Sequence, residues 1–338
     1  MKIETSYARR VLKDVASLAI AVGFLLFAPS GAIALGGGEA AATSAAGPEL
    51  RVGVFLDSDS IPLLVAAEEG LFEKEGVKVR LLAFQNPVER DAALQAGAVD
   101  GVVSDLLAAG LASQAGFGLR VTSLTDGRYG ILSAPGSGIT ELRQLKGVEV
   151  AISTNSIIHY ATETMLADAG VSGSDVRTIP VPKMPVRLEL LLAGQVKAAC
   201  LPEPLLSAAK ARGATLLAAS DSFKASHGDD SGLGAGVILF TKQSLDGRLD
   251  AVKAFYRAYA AACVRINAGN DAYRPFLASK VNFPAELTAG YRFVTYKKPR
   301  LPSEADLAAA FGWLKSKGLL KADIPAEAIL DGRAIAGL

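Results

Sequence analysis

Four small polar residues in a row, Ser153-Thr154-Asn155-Ser156, separate a short apolar run from a segment of regular apolar spacing. The run, Val148–Ile152, is rich in branched residues and too brief for a helix, so it reads as a strand. Beyond the polar cluster, Ile158, Ala161, Met165 and Ala169 recur at three- and four-residue intervals, the buried stripe of a helix ending at Gly170. The first turn of such a helix carries unpaired backbone N–H groups and partial positive charge. Those groups suit an anionic or hydrogen-bond-accepting ligand atom; equally, the four side chains could do no more than cap the helix. His159, in the first helical turn, suits either a ligand contact or a partly buried structural imidazole.

A second set of chemistry-bearing residues is acidic. Asp57, Asp59, Asp105 and Glu203 each follow an apolar run, where a carboxylate would sit at the mouth of a cleft. Two or more of them lining one cleft would disfavour an anionic ligand and favour a neutral or cationic, nitrogen-containing one. The competing reading is structural: Asp57 and Asp59 cap the next helix, Asp59 foremost, and Glu203 holds its own loop. Tyr129 and Tyr160 have rings that can stack on a ligand or pack in a core with the hydroxyl reaching a partner. Trp313, in a late helical segment, reads as core.

The elements that must position these residues alternate. Strands are expected at Arg51–Leu56, Val77–Ala83, Asp100–Val103 and Leu119–Leu124, with Gly130–Ser133 as a further extended piece, and helices lie between them. After Val148–Ile152 and its helix come a strand at Val176–Val181, a helix at Val186–Ala193 and a strand at Val196–Leu201. A helix at Leu205–Ala211 and a strand at Ala214–Ala218 complete that unit. Ser220–Gly236 reads as loop and Val237–Thr241 as a strand returning to the first unit. Helices follow at Leu249–Asn267, Ala272–Ser279, Ala285–Phe293 and Ser303–Lys317. Strands alternating with helices imply βαβ units and mostly parallel sheets. Two such units in series make two lobes, joined near Ser133–Leu145 and again near Gly232–Thr241. Ligands of open parallel sheets sit at the carboxyl ends of the strands. That rule nominates Asp57, Ser58 and Ser60; Phe84 and Asn86; Ser104 and Asp105; the run from Ser153 through Thr154, Asn155 and Ser156 to His159; Met184; and Glu203. Tyr129 and Tyr160 complete the candidate set.

Composition excludes several classes. Lys plus Arg (35) nearly equals Asp plus Glu (34), and no basic run points to nucleic acid. Arg9, Arg10 and Lys13 precede the apolar run Val15–Phe27, which is shorter than the ~20 residues of a membrane span. Ala32-Ile33-Ala34 supplies an A-x-A cleavage signal, so residues 1–34 read as a signal peptide and 35–49 as a flexible leader, with an uncleaved anchor as the alternative. With no Cys directly after the apolar run, no lipid anchor is expected. The two cysteines, Cys200 and Cys263, read as buried thiols, and with only two His a His-based zinc site is not expected. No G-x-S-x-G, H-E-x-x-H or P-loop is present.

Several stretches together resemble one family. PLLVAAEEGLFEKEGVKV (Pro62–Val79), LQAGAVD (Leu94–Asp100), Leu145–Ser156 and LLAGQVKAACLPEP (Leu191–Pro204) follow in order the motifs of NMT1/THI5-like substrate-binding proteins of ABC importers, the binders of sulfonates, nitrate and thiamine precursors. Asn155-Ser156 replaces the usual Gly-Ser, and Lys197 the usual Asp. The resemblance spans about Leu50 to Leu330. It implies a two-lobed α/β periplasmic-binding-protein fold of type II (a Venus flytrap) with a helical C-terminal tail. Residues 50–140 would begin lobe 1, 141–234 form lobe 2, and 235–338 supply the return strand and tail helices. It further implies an exported periplasmic monomer without cofactor, metal or catalytic residues. Its partners would be a small-molecule ligand, an ABC permease and that permease's ATPase. The ligand would be a nitrogen-containing heterocycle such as a thiamine-pyrimidine precursor, or a sulfonate. The alternatives are a THI5-like enzyme of pyrimidine synthesis, disfavoured by the export signal and the absence of a Cys cluster, and a periplasmic ligand sensor.

Overall fold

The computed structural model describes residues 49–221 and 233–338. The expected signal peptide, nearly all of the expected leader, and most of the loop read at Ser220–Gly236 lie outside the described residues. The first unit runs β1 (Leu50–Val54), α1 (Ile61–Glu68), α2 (Leu71–Lys74), β2 (Val79–Ala83), α3 (Pro87–Gln95), β3 (Gly101–Asp105), α4 (Leu106–Gln114) and β4 (Leu119–Leu124). The second runs β5 (Tyr129–Ser133), β6 (Glu149–Ile152), α5 (Ile157–Asp168), β7 (Arg177–Pro180), α6 (Met184–Leu192), β8 (Ala198–Pro202), α7 (Leu205–Ala211) and β9 (Thr215–Ala219). Then come β10 (Gly236–Thr241), α8 (Lys242–Gly247), α9 (Leu249–Ala268), α10 (Arg274–Lys280), α11 (Glu304–Ser316) and α12 (Ala326–Ile329).

Two five-stranded sheets result, ordered β2-β1-β3-β10-β4 and β7-β6-β8-β5-β9. In the first, β10 returns antiparallel between β3 and β4; in the second, β5 lies antiparallel between β8 and β9. The remaining pairs, β1 with β2 and β3, and β6 with β7 and β8, are parallel. The central strands β3, β5 and β8 are buried along their whole length, as expected where helices cover both faces of a sheet. The edge strands β2 and β7 are only partly covered.

Gly130–Ser133 belongs to the second sheet, not the first. The chain therefore crosses between sheets within Thr125–Arg128, upstream of the Ser133–Leu145 junction read from sequence. A short buried extended run carries no mark of which sheet it joins; its partners Pro202–Ala198 and Ala219–Thr215 lie about seventy to ninety residues further on. The expected helix at Ala285–Phe293 is instead a six-residue 3-10 segment, Ala285–Gly290, followed by extended chain. There Tyr291 and Phe293 alternate inward, and their rings meet at 4.9 Å with Phe283 against Tyr291 at 5.4 Å, so a two-residue period wins over a helical one.

The tail packs on the first sheet's helices. Phe255 of α9 stacks on Phe72 of α2 at 5.5 Å and meets Phe240 edge-on. Phe311 of α11 lies against Gly110 of α4, where an added Cβ would come within 2.9 Å of its ring. No helix among the described residues is long and apolar enough to cross a membrane.

Candidate functional site

The carboxyl ends of β1, β3 and β6 and the start of α6 converge on one enclosed cavity. Asp57, Asp59, Ser104, Asp105 and Tyr129 line it together with Ser153, Ser156 and Met184. Phe55, Pro87, Arg90, Val103, Ile157 and Ile158 complete the wall. The cavity volume is about 30 Å³, enough for a water or two, since one water needs about 10–15 Å³. A second chamber of about 190 Å³ shares Pro87, Arg90, Asp105 and Ser156 with the first, and runs between α3 and α4 along Leu94, Ala108, Leu111 and Ala112. The lobes are closed on each other. Met184 N donates to Gln85 O at 3.4 Å and Ile157 N to Asp105 Oδ2 at 3.2 Å, each bond joining the two lobes.

Three buried carboxylates dominate the cavity's electrostatics, each in a different hydrogen-bonding state. Asp59 is fully engaged: Tyr129 Oη donates to Oδ2 at 2.6 Å and Thr125 Oγ1 to Oδ1 at 2.5 Å. Its expected capping role is not taken; the N-cap of α1 is Ser60, with no side-chain capping bond. Glycines make room for it, since a Cβ on Gly127 would sit 2.0 Å from Asp59 Oδ2 and one on Gly236 2.7 Å from Oδ1. Asp105 caps α4 through Ala108 N (2.7 Å) while its other oxygen reaches α5. Asp57 differs, with Oδ1 buried and without a hydrogen-bond partner, as is the nearby Ser104 Oγ. Burial raises all three carboxyls above the ordinary range, Asp57 strongly, with repulsion from Asp59 added. The opposing cation is Arg90, its guanidinium 5.1 Å from the Phe55 ring, and its charge favours the ionised forms of Asp57 and Asp105. Arg90 is already committed: Nε donates to Asp91 Oδ1 (2.8 Å) and Nη1 to Val103 O (3.3 Å). Its Nη2 lies 2.8 Å from Asp91 Oδ1, outside hydrogen-bond angles.

The start of α5 is built as a cap. Ser156, extended at φ −135°, accepts from Ile158 N through Oγ (3.3 Å), and its carbonyl accepts from His159 N and Tyr160 N. Ile157 N is taken by Asp105. The ligand-accepting amides expected there are thus bonded within the protein. Ser153 is fixed from behind by Arg187 Nη1 at 2.8 Å; that guanidinium is wholly buried, lies outside the cavity lining, and is pushed down to about 10 by desolvation.

Other expected site residues are placed elsewhere. Ser58 sits at the lobe junction, where its N–H donates to Glu203 O (2.9 Å) and its Oγ accepts from Arg128 N (3.0 Å). Ser60 Oγ accepts from Phe55 N, and Asn86 caps α3 by accepting from Glu89 N at 3.0 Å. Phe84 covers Gly53 on the sheet face. Glu203 is buried against Arg128 (2.6 Å) and bonded by Ser207, so it holds the junction. Thr154 is exposed; Asn155, in the left-handed region at φ 54°, borders only the outer chamber. His159 and Tyr160 point along α5 toward Trp313, with ring centroids 4.9 and 5.9 Å away. Trp313 is itself not plain core, because its Nε1 donates to Glu163 on α5 at 2.8 Å. The residues missed were Phe55, Arg90 and the apolar first turn of α5. Arg90 sits in a polar, exposed-looking segment; only its i+3 step from Pro87 and i+4 step to Leu94 placed it on the inward face.

The NMT1/THI5-like family model matches residues 57–268, more than half of the chain. No curated protein matches it by sequence. Among solved structures, the ligand binding component of an ABC-type import system from Staphylococcus aureus, with zinc bound, is similar at 16% identity. That alignment covers 86% of this chain and 98% of that one, with a TM-score of 0.72. The alkanesulfonate-binding protein SsuA from Xanthomonas axonopodis pv. citri, bound to MOPS, is 21% identical over 86% and 99% of the two chains, with a TM-score of 0.68. The periplasmic nitrate-binding protein NrtA from Synechocystis PCC 6803 is 16% identical over 85% and 87%, with a TM-score of 0.67. At these identities the likeness is one of fold. No group of three or more His, Cys, Asp or Glu among the described residues could hold a metal ion.

Proposed function

The chain belongs to the NMT1/THI5-like family, and from that membership we propose that it is the solute-binding component of an ABC import system. It captures a small organic molecule between its lobes in the periplasm and delivers it to a membrane permease driven by an ATPase. The observation that carries this reading is the cavity itself. Two α/β lobes turn the carboxyl ends of their strands toward one another, and side chains from both meet around it. The closed cavity has room for a water or two, so an organic solute enters when the lobes part, and binding then shifts the population back to the closed form. The ligand-contacting residues in this reading are Asp57, Ser104, Asp105, Tyr129, Ser153, Ser156 and Met184, with Arg90 and Phe55 added.

The reading needs no catalytic group. Both thiols are poor nucleophiles, burial pushing Cys200 up to about 11 and Cys263 to about 12. Structural neighbours bind alkanesulfonate and nitrate; a sulfonate and a nitrogen-containing heterocycle are the two ligand classes to compare. Isothermal titration of the exported protein against sulfonates, aminopyrimidines and amines tests the reading. Saturable heat at one site per chain is expected with one class. No heat with any class, together with no solute released from natively purified protein, would remove it.

A further inference from the structure

In many binding proteins a helix N-terminus facing a cleft receives an anion, since unpaired amides and the helix dipole both favour negative charge. Here α5 is long enough to present such a site, and its first turn faces the cavity. Its outermost amide, Ile157 N, is held at 3.2 Å by Asp105 Oδ2, a carboxylate from the other lobe. The same carboxylate caps α4 through Oδ1 at 2.7 Å. One side chain therefore fills the positive ends of two helices, one from each lobe. Two acceptors of the lining are left unpartnered: Asp57 Oδ1, which can only accept while ionised, and Ser104 Oγ, which can accept as well as donate; one donor of the lining, Arg90 Nη2, also lacks a hydrogen bond but lies 2.8 Å from Asp91 Oδ1. Arg90, the cation of the wall, is turned to Asp91 and Val103 O, and Arg187 lies behind Ser153 outside the lining.

We propose that Asp105 is a specificity determinant that occupies the oxyanion site of α5, excluding sulfonates and nitrate, and leaves the cleft to a ligand whose head group donates N–H hydrogen bonds to Asp57 and Ser104. The ligand class is thus an amine, amidine or amino-substituted heterocycle. The mostly apolar chamber between α3 and α4, which shares Pro87 and Arg90 with the head-group cavity, takes any hydrocarbon part. This inference rests on the reading of the chain as a cleft-binding solute carrier. An incoming sulfonate would have to displace Asp105 Oδ2 from Ile157 N, and would then lie beside the side chains of Asp57, Asp59 and Asp105.

Two titrations test it on the exported, full-length mature protein. Butane-1-sulfonate is titrated into the wild type and Asp105→Asn; Asn still caps α4, and thermal unfolding checks that the variant folds. Little or no heat is expected from the wild type, with affinity at least tenfold higher in the variant. Wild-type binding as tight as the variant's overturns the exclusion, and so does no binding by either. Benzamidine and 4-amino-2-methylpyrimidine are titrated into the wild type and Asp57→Asn. At least a tenfold weaker affinity is expected in the variant for whichever probe binds. Equal affinities, or no binding of either donor by the wild type, overturn the assignment of Asp57. The underlying solute-carrier reading fails separately, only where natively purified wild type also releases no small molecule.

Discussion

Glu163 ties the lobes together outside the cavity, and its removal gives a graded test of the closed form. It lies on α5 of the second lobe and accepts from Trp313 Nε1 (2.8 Å) and Lys317 Nζ (2.7 Å) at the end of α11, which packs on the first lobe. His159 Nε2, on its own helix, stands 3.2 Å away; Nδ1 accepts from Asn155 N, so Nε2 carries the hydrogen. Burial alone would raise this carboxyl, but the hydrogen bonds from His159, Lys317 and Trp313 outweigh it and hold it at about 2, against an ordinary 4.5. At about 1.4 kcal/mol per unit that difference is worth about 3 kcal/mol. With the side chain 12% exposed, solvent screening reduces it, and about 1–2 kcal/mol is expected on unfolding. Glu163→Gln keeps the shape and loses the charge. A lowered carboxyl stabilises the fold above its ordinary value and stops doing so as pH falls through the lowered one. The wild type should therefore exceed Glu163→Gln by that margin at pH 7, and the gap should close between about pH 4.5 and 2. Urea unfolding at a series of pH values reads this, with ligand affinity of the variant expected to fall several-fold as the open form gains population. Equal stability at pH 7, or a gap unchanged at pH 2.5, would refute the reasoning.

Other expectations follow from single contacts. Arg128→Met strands the buried Glu203 carboxylate and should cost about 3–5 kcal/mol; because burial raises the Glu203 carboxyl, the loss should shrink in acid and grow with pH. Tyr129→Phe removes a donor from buried Asp59 and should cost about 1–3 kcal/mol in denaturant unfolding. Gly130→Val drives a side chain against Leu206 Cδ1 and the Ala218 carbonyl, contacts of 2.5 and 2.9 Å for a bare Cβ; a loss of about 1–3 kcal/mol or more is expected in thermal unfolding. Cys200 and Cys263 should resist a thiol reagent at pH 8 in the folded protein, and both should react in denaturant.

The strand-loop-helix order was legible because buried parallel strands leave short branched runs and their helices leave three- and four-residue spacing. The loops at the carboxyl ends of those strands were legible for the same reason, and six of the fourteen nominated loop positions (Asp57, Ser104, Asp105, Ser153, Ser156 and Met184) line the cavity. What the sequence hid were pairings across distance. Nothing local in Tyr129–Ser133 says that it threads between β8 and β9, and nothing near Ser156 says that Asp105, 52 residues before Ile157, meets the helix start. Side-chain direction was a second gap: His159 and Tyr160 follow the polar loop directly, yet the helix turns them onto Trp313 and away from the cavity. Arg90 illustrates a third. A charged residue in a polar helix reads as solvated surface, and only the tertiary fold buries it over Phe55.

The most direct test of the account is a crystal structure of the protein purified without denaturation or dialysis. The account predicts density for a small molecule enclosed between the lobes, with an N–H within hydrogen-bond distance of Asp57 and Ser104 and with Asp105 still on Ile157 N. A molecule bound through an oxyanion at the start of α5, with Asp105 turned away, would contradict it.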